Sequence, residues 1–111
     1  MNRLLDGVKI LDFTQYKAGP MGTQILGDMG ADIIKIERSR GGDLERRFAT
    51  FGRFTGKGDS PFFLAMNRNK RSLALNIKTP EAKEIIYKLA AEADVVVQNF
   101  RPGVLKKLGY G

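Results

Sequence analysis

The chain has 111 residues, 42% hydrophobic and 28% charged, an ordinary mix for one globular domain with a modest core. It holds no cysteine and no histidine, which excludes disulfides, thiolate nucleophiles and Ser-His-Asp catalysis within these residues and leaves carboxylates as the available metal ligands. The net charge of +7 is concentrated, with nine Lys or Arg against three acids (Asp43, Glu45 and Asp59) between Arg38 and Arg71.

Such a basic segment points to an anionic partner: nucleic acid, a phosphorylated cofactor or an acidic surface. No apolar run approaches the ~20 residues that span a bilayer. The opening MNRLLDGVKI has no long apolar stretch and no small-residue cleavage site, so no secretory leader and no membrane association are expected, and a cytoplasmic setting follows.

Val8–Phe13 (VKILDF) predicts a first strand. Ala18-Gly19-Pro20 then opens a helix, with Pro20 at its first position. Met21, Ile25 and Met29, at i, i+4 and i+8, predict its buried stripe, and Gly30 fits the position just past its end. Ala31–Glu37 (ADIIKIE) reads as a second strand, completing a βαβ unit with parallel strands and a right-handed crossover.

Residues 39–58 are Gly- and Arg-rich, with Phe48, Phe51 and Phe54, and predict a long irregular excursion. Ser60-Pro61 starts a short helix through Phe62–Met66. Ser72–Ile77 alternates, with Leu73, Leu75 and Ile77 on one face, and predicts a third strand. Thr79 then caps a helix with Pro80 at its first position and Glu81 in its first turn. Ile85, Ile86, Leu89, Ala90 and Ala93 make its expected buried face, and Glu84 and Lys88 an i,i+4 pair. Asp94–Asn99 predicts a fourth strand. Pro102 opens a last short helix, Val104–Leu108, stopped by Gly109.

The order predicts an α/β fold: an open, mostly parallel sheet with Rossmann-like βαβ units. A sheet of about four strands leaves an edge needing cover. The chain therefore reads as part of a longer protein. In such sheets ligands bind beyond the carboxyl ends of the strands, here Thr14–Gly19, Glu37–Arg40, Lys78 and Asn99–Gly103. Glu37 stands where a ribose-binding acid would. The first turn lacks the G-x-G-x-x-G that lets a backbone approach a pyrophosphate, which argues against a dinucleotide.

Leu5-Asp6-Gly7, Val8–Phe13 and Ala18-Gly19-Pro20 resemble the opening of the family III CoA-transferases, a group with formyl-CoA transferases, carnitine CoA-transferases and α-methylacyl-CoA racemases. The likeness continues through 30–38, Asn69–Leu73, Lys78–Glu81 and Asp94–Gly103, with a gap at 41–59. The resemblance implies that residues 1–111 are the N-terminal, coenzyme A (CoA)-binding region of a longer enzyme.

Carried onto matching positions, the cradle is Tyr16, Lys17 and Ala18 after the first strand and Arg38 after the second. Leu75, Asn76, Ile77 and Lys78 follow the third, Asn99, Phe100 and Arg101 the fourth, and Lys107 lies on the last helix. The chemistry agrees. Arg38 and Lys107 suit phosphate charge, and Tyr16 and Phe100 suit adenine or the pantetheine arm. Lys17 and Asn76 depart from the family pattern, in which position 17 is often neutral and position 76 acidic.

The resemblance also implies acyl-CoA transfer between carboxylic acids with no metal, a CoA thioester and a carboxylic acid as partners, and a homodimeric parent. The family nucleophile is an aspartate, expected beyond residue 111, so this segment alone is expected to be inactive. Asp12, Asp28, Asp32 and Asp94 sit at strand or helix positions poorly suited to replace it. An acyl-CoA racemase is the alternative within the group. A basic nucleic-acid-binding module built on residues 38–71 is the alternative outside it, although no known nucleic-acid motif is present and none is expected as partner.

Overall fold

The computed structural model describes residues 3–15, 18–39 and 67–110. Tyr16, Lys17, most of the basic excursion with its three phenylalanines, and the helix expected through 62–66 lie outside these residues.

Four strands form one parallel sheet: β1 (Lys9–Asp12), β2 (Asp32–Glu37), β3 (Lys70–Ala74) and β4 (Val95–Val97). Their order is β3-β2-β1-β4. The chain steps outward from β1 to β2 to β3, then returns to the far side of β1. The order in which strands are added thus reverses between β1 and β4, the kind of crevice where open α/β sheets take ligands. Among the described residues, no helix is long and apolar enough to cross a membrane.

Alternating side chains bury both faces. On one face Leu11, Phe13 and Ile36 pack with Ile86 of helix α2 (Pro80–Glu92). On the other, Ile10, Ala31 and Ile33 pack with Leu26 of helix α1 (Ala18–Asp28). A last helix, α3 (Val104–Lys107), follows β4.

Helix α2 forms as its sequence predicts. Thr79 Oγ1 accepts from the Ala82 amide at 3.2 Å, Pro80 begins the helix, and Lys88 lies 4.0 Å from Glu84. Such a cap contributes about 1 kcal/mol. Ile85, expected inside, is 42% exposed, and Ala82 takes its place beside Ile86.

Helix α1 departs further from expectation. It starts at Ala18, two residues before Pro20. Met21, Ile25 and Met29 are 45%, 52% and 36% exposed, so the apolar stripe faces away from the sheet. The buried residues are Pro20, Thr23, Gln24 and Gly27, at i, i+3, i+4 and i+7. The reason is what lies beneath. The sheet presents a carboxylate and two lysines there, so the helix must offer hydrogen-bonding groups. It also sits too close for bulk, because a Cβ on Gly27 would lie 3.1 Å from Ile33 Cδ1 and 3.2 Å from the Asn69 carbonyl oxygen.

The end of α1 matches expectation. Gly30, at φ 108°, donates to the Gly27 carbonyl at 3.0 Å, and Ala31 donates to Leu26 at 3.2 Å. This pair of bonds closes a helix through a left-handed glycine. The short last helix is preceded by Gly103 at φ 85°, with Pro102 outside it.

Candidate functional site

A cleft of about 800 Å³ opens beyond the carboxyl ends of all four strands, on the α2 side of the sheet. Phe13 and Gln15 follow β1. Ile36, Glu37, Arg38 and Ser39 close β2. Residues 75–78 follow β3, Asn99 and Phe100 follow β4, and Leu108 comes from the end of α3. Its floor is apolar and continuous with the core, since Leu75, Ile77 and Phe100 also pack on the Leu11–Phe13–Ile36–Ile86 cluster. Its rim is polar and carries the cations Arg38 and Lys78. An apolar cleft with a few convergent polar groups is the usual form of a small-molecule site.

Local hydrogen bonds hold each segment of the rim. The turn after β3 is tied by Asn76, whose Oδ1 accepts from the Lys78 amide at 3.2 Å. The Asn76 carbonyl accepts from both the Thr79 amide and hydroxyl. Tyr110 donates its hydroxyl to the Ile77 carbonyl at 2.7 Å and thereby fixes the same turn from behind. Burial, with Tyr87 alongside, pushes the Tyr110 phenol above its ordinary value of 10.0, so it stays a donor at neutral pH.

A second tie crosses the β1–β4 crevice. Asn99 Oδ1 accepts from the Gln15 amide at 2.9 Å, and Asn99 Nδ2 donates to the Gln15 carbonyl at 2.7 Å. Asn99 therefore mimics a strand partner for a residue just past β1. Its amide retains one further N–H and one further lone pair.

The cleft brings together Arg38, Leu75, Asn76, Ile77, Lys78, Asn99 and Phe100 of the expected cradle. Ala18, the exposed first residue of α1, does not line it, nor do the exposed Arg101 and Lys107. Leu108, the residue after Lys107, does.

The residues of this cleft come from five separate segments, and those segments all lie within the match to one family. The family model for CoA-transferase family III matches residues 5–111. The chain belongs to CoA-transferase family III. It is 50% identical over 96% of its length to a human succinyl-CoA:glutarate CoA-transferase, covering 24% of that protein. It is 45% identical over 99% of its length to a formyl-CoA:oxalate CoA-transferase of Rhodopseudomonas palustris, covering 25% of it. A crystal structure of a CAIB/BAIF family protein from Brucella suis superposes with a TM-score of 0.89 at 39% identity, over 100% of this chain and 29% of that one. The chain thus spans about a quarter of the length of the curated relatives it matches.

Within this family III chain, the cleft is also lined by Phe13, Gln15, Ile36, Glu37, Ser39 and Leu108, which the expected cradle did not include. Gln15, Glu37 and Ser39 fall inside the strand-end segments singled out by topology. The floor residues carry no such signal, because an apolar strand residue reads as core whether or not a cleft opens over it. Lys70 and Arg71, at the end of the basic segment, are paired within the chain. Lys70 Nζ lies 3.2 Å from Asp12 Oδ2, and Arg71 lies 2.7 Å from Asp32. Arg68 is likewise paired with Asp28, at 2.8 Å.

Proposed function

We propose that this chain is the CoA-binding α/β region of an acyl-CoA:carboxylate CoA-transferase and that its cleft holds the CoA moiety of a CoA thioester. The observation that carries this reading is the convergence of Arg38, Leu75–Lys78, Asn99 and Phe100 on one cleft. Family membership supplies the reaction class, since both named relatives are CoA-transferases acting on an acyl-CoA and a carboxylate.

The roles follow from chemistry. CoA presents an adenine, phosphates and a long amide arm. Arg38 binds phosphate as a planar fork and Lys78 as a point charge. Phe100, Leu75 and Ile77 take the base or the arm against the apolar floor. Asn99 and the backbone of residues 76–78 supply hydrogen bonds. On this reading Tyr16, Lys17 and Ala18 belong to the same binding set, and Arg101 and Lys107 add charge outside the cleft for phosphate that extends beyond it. The parent enzyme is read as a cytoplasmic homodimer that works without metal.

The acyl-carrying aspartate belongs outside these residues on this reading. Four carboxylates here are already engaged: Asp12 by Lys70, Asp28 by Arg68, Asp32 by Arg71, and Asp94 by the Lys9 amide. Glu37, which lines the cleft, accepts from Ser72 Oγ. The chain alone then binds CoA without turning it over.

Calorimetric titration with CoA, ATP and duplex DNA at two salt concentrations tests the reading. Preferential CoA binding that survives moderate salt is expected. Preferential DNA binding that collapses with salt would instead favour a nucleic-acid module.

A further inference from the structure

Beneath α1, the two central strands carry charge where a parallel sheet ordinarily carries aliphatic side chains. Asp12, Lys35 and Ser72 stand in one cross-strand row. Lys35 is 1% exposed, Asp12 is fully buried, and the Lys70 side chain is 2% exposed. None of the three lines the cleft. Charges at such depth are costly unless paired, so their bonds should reveal what they hold.

Those bonds converge on Thr14. Phe13 makes the last ladder bond of β1, donating to the Val97 carbonyl at 2.8 Å. The next residue has left the sheet, and its buried peptide groups need other partners. Lys35 Nζ crosses from β2 to the Thr14 carbonyl at 2.8 Å. Asp12 Oδ1 accepts from the Thr14 amide at 2.8 Å and from its hydroxyl. Asp12 Oδ2 is held in turn by Thr23 of α1 at 2.7 Å and by Lys70. Lys70 also donates to the Pro20 carbonyl and to Asn67 Oδ1. Gln15, whose amide and carbonyl are both taken by Asn99, comes directly after Thr14.

We propose that Lys35, Asp12 and Lys70 are positioning residues for the ligand cleft. They fix the peptide at Thr14, and so the Gln15 peptide that sets the orientation of the Asn99 amide. Asn99 presents its remaining N–H and lone pair to the cleft only while the Gln15 peptide holds the other two. The ligand arm of this inference rests on the reading of the cleft as a CoA site, whereas the positioning arm stands on geometry alone.

The test compares the 111-residue chain with its Lys35→Met variant by amide hydrogen exchange and by CoA titration. Exchange at the Gln15 amide is expected to accelerate about tenfold or more relative to Leu11 in the middle of β1, and CoA affinity to fall about tenfold, the scale of a lost charged hydrogen bond. A purely structural role would accelerate Gln15 and Leu11 together, and that result overturns the proposal, as does no change at either. Selective loss at Gln15 with unchanged CoA affinity overturns it too. Selective loss in a chain whose parent sequence binds no CoA upholds the positioning and overturns the CoA reading, which separates the two failures. Should Lys35→Met not fold, Thr23→Val removes one donor to Asp12 at nearly constant volume and is read in the same way.

Discussion

The ion pair between Asp12 and Lys70 offers a quantitative test of the buried network. Its Nζ–Oδ2 distance is 3.2 Å, with both side chains almost completely removed from water. Asp12→Ala takes the carboxylate away from the Lys70 ammonium, which also donates to the Pro20 carbonyl and Asn67, and leaves the Thr14 amide without its acceptor. Lys70→Met leaves a buried carboxylate whose remaining hydrogen bonds among the described residues come from the neutral Thr14 and Thr23. Breaking a buried pair from one side costs about 3–5 kcal/mol, because a charge remains uncompensated. At about 4 °C per kcal/mol for a domain of this size, each single variant should melt roughly 12 °C or more below the parent. The double variant removes both charges and should cost about 2 kcal/mol less than the two singles together. Urea unfolding of all four proteins by circular dichroism closes the cycle. Costs that add to within about 0.5 kcal/mol would refute the coupling and the view that these charges stabilise one another.

Other outcomes follow from the same geometry. A Cβ on Gly19 would fall 2.6 Å from Thr14 Cβ and 3.2 Å from Asn99 Nδ2, so Gly19→Ala should weaken CoA binding by pushing apart the Thr14–Asn99 junction, as a calorimetric titration will read. At the other end of α1, the side-chain hydrogen bonds from Arg68 hold the Asp28 carboxyl below its ordinary 3.8, opposed by desolvation and aided by Asn69. Because the folded value is depressed, this contribution to stability is present above pH ~4 and lost as pH falls through the folded value. Carbon-detected titration should give Asp28 a midpoint below 3.8, returning toward it in Arg68→Ala.

Much of the scaffold was legible in the sequence. Thr79-Pro80-Glu81 marked the start of α2, because capping chemistry is local and strong. Gly30 marked the end of α1 for the same reason. Parallel topology followed from the βαβ order. The burial of α1 was not legible, since periodicity assigns apolar residues to the core and here the core-facing side is Thr23, Gln24 and Gly27. That assignment fails when the opposing surface is itself polar, and no local pattern announced that Lys35 and Lys70 would turn inward. The lining of the cleft was legible where its residues sit just past strands, as at Arg38, Leu75–Lys78 and Asn99. It was not legible on α3, where a single step along the helix exchanges Lys107 for Leu108 at the cleft.

Titration of the folded chain with CoA by calorimetry, alongside its Arg38→Ala variant, bears most directly on the proposal that the cleft holds CoA. Saturable binding that weakens about tenfold or more in the variant is predicted, the scale of a lost bidentate contact to phosphate. Equal affinity in the two proteins, or no binding by a chain whose circular dichroism shows it folded, would contradict it.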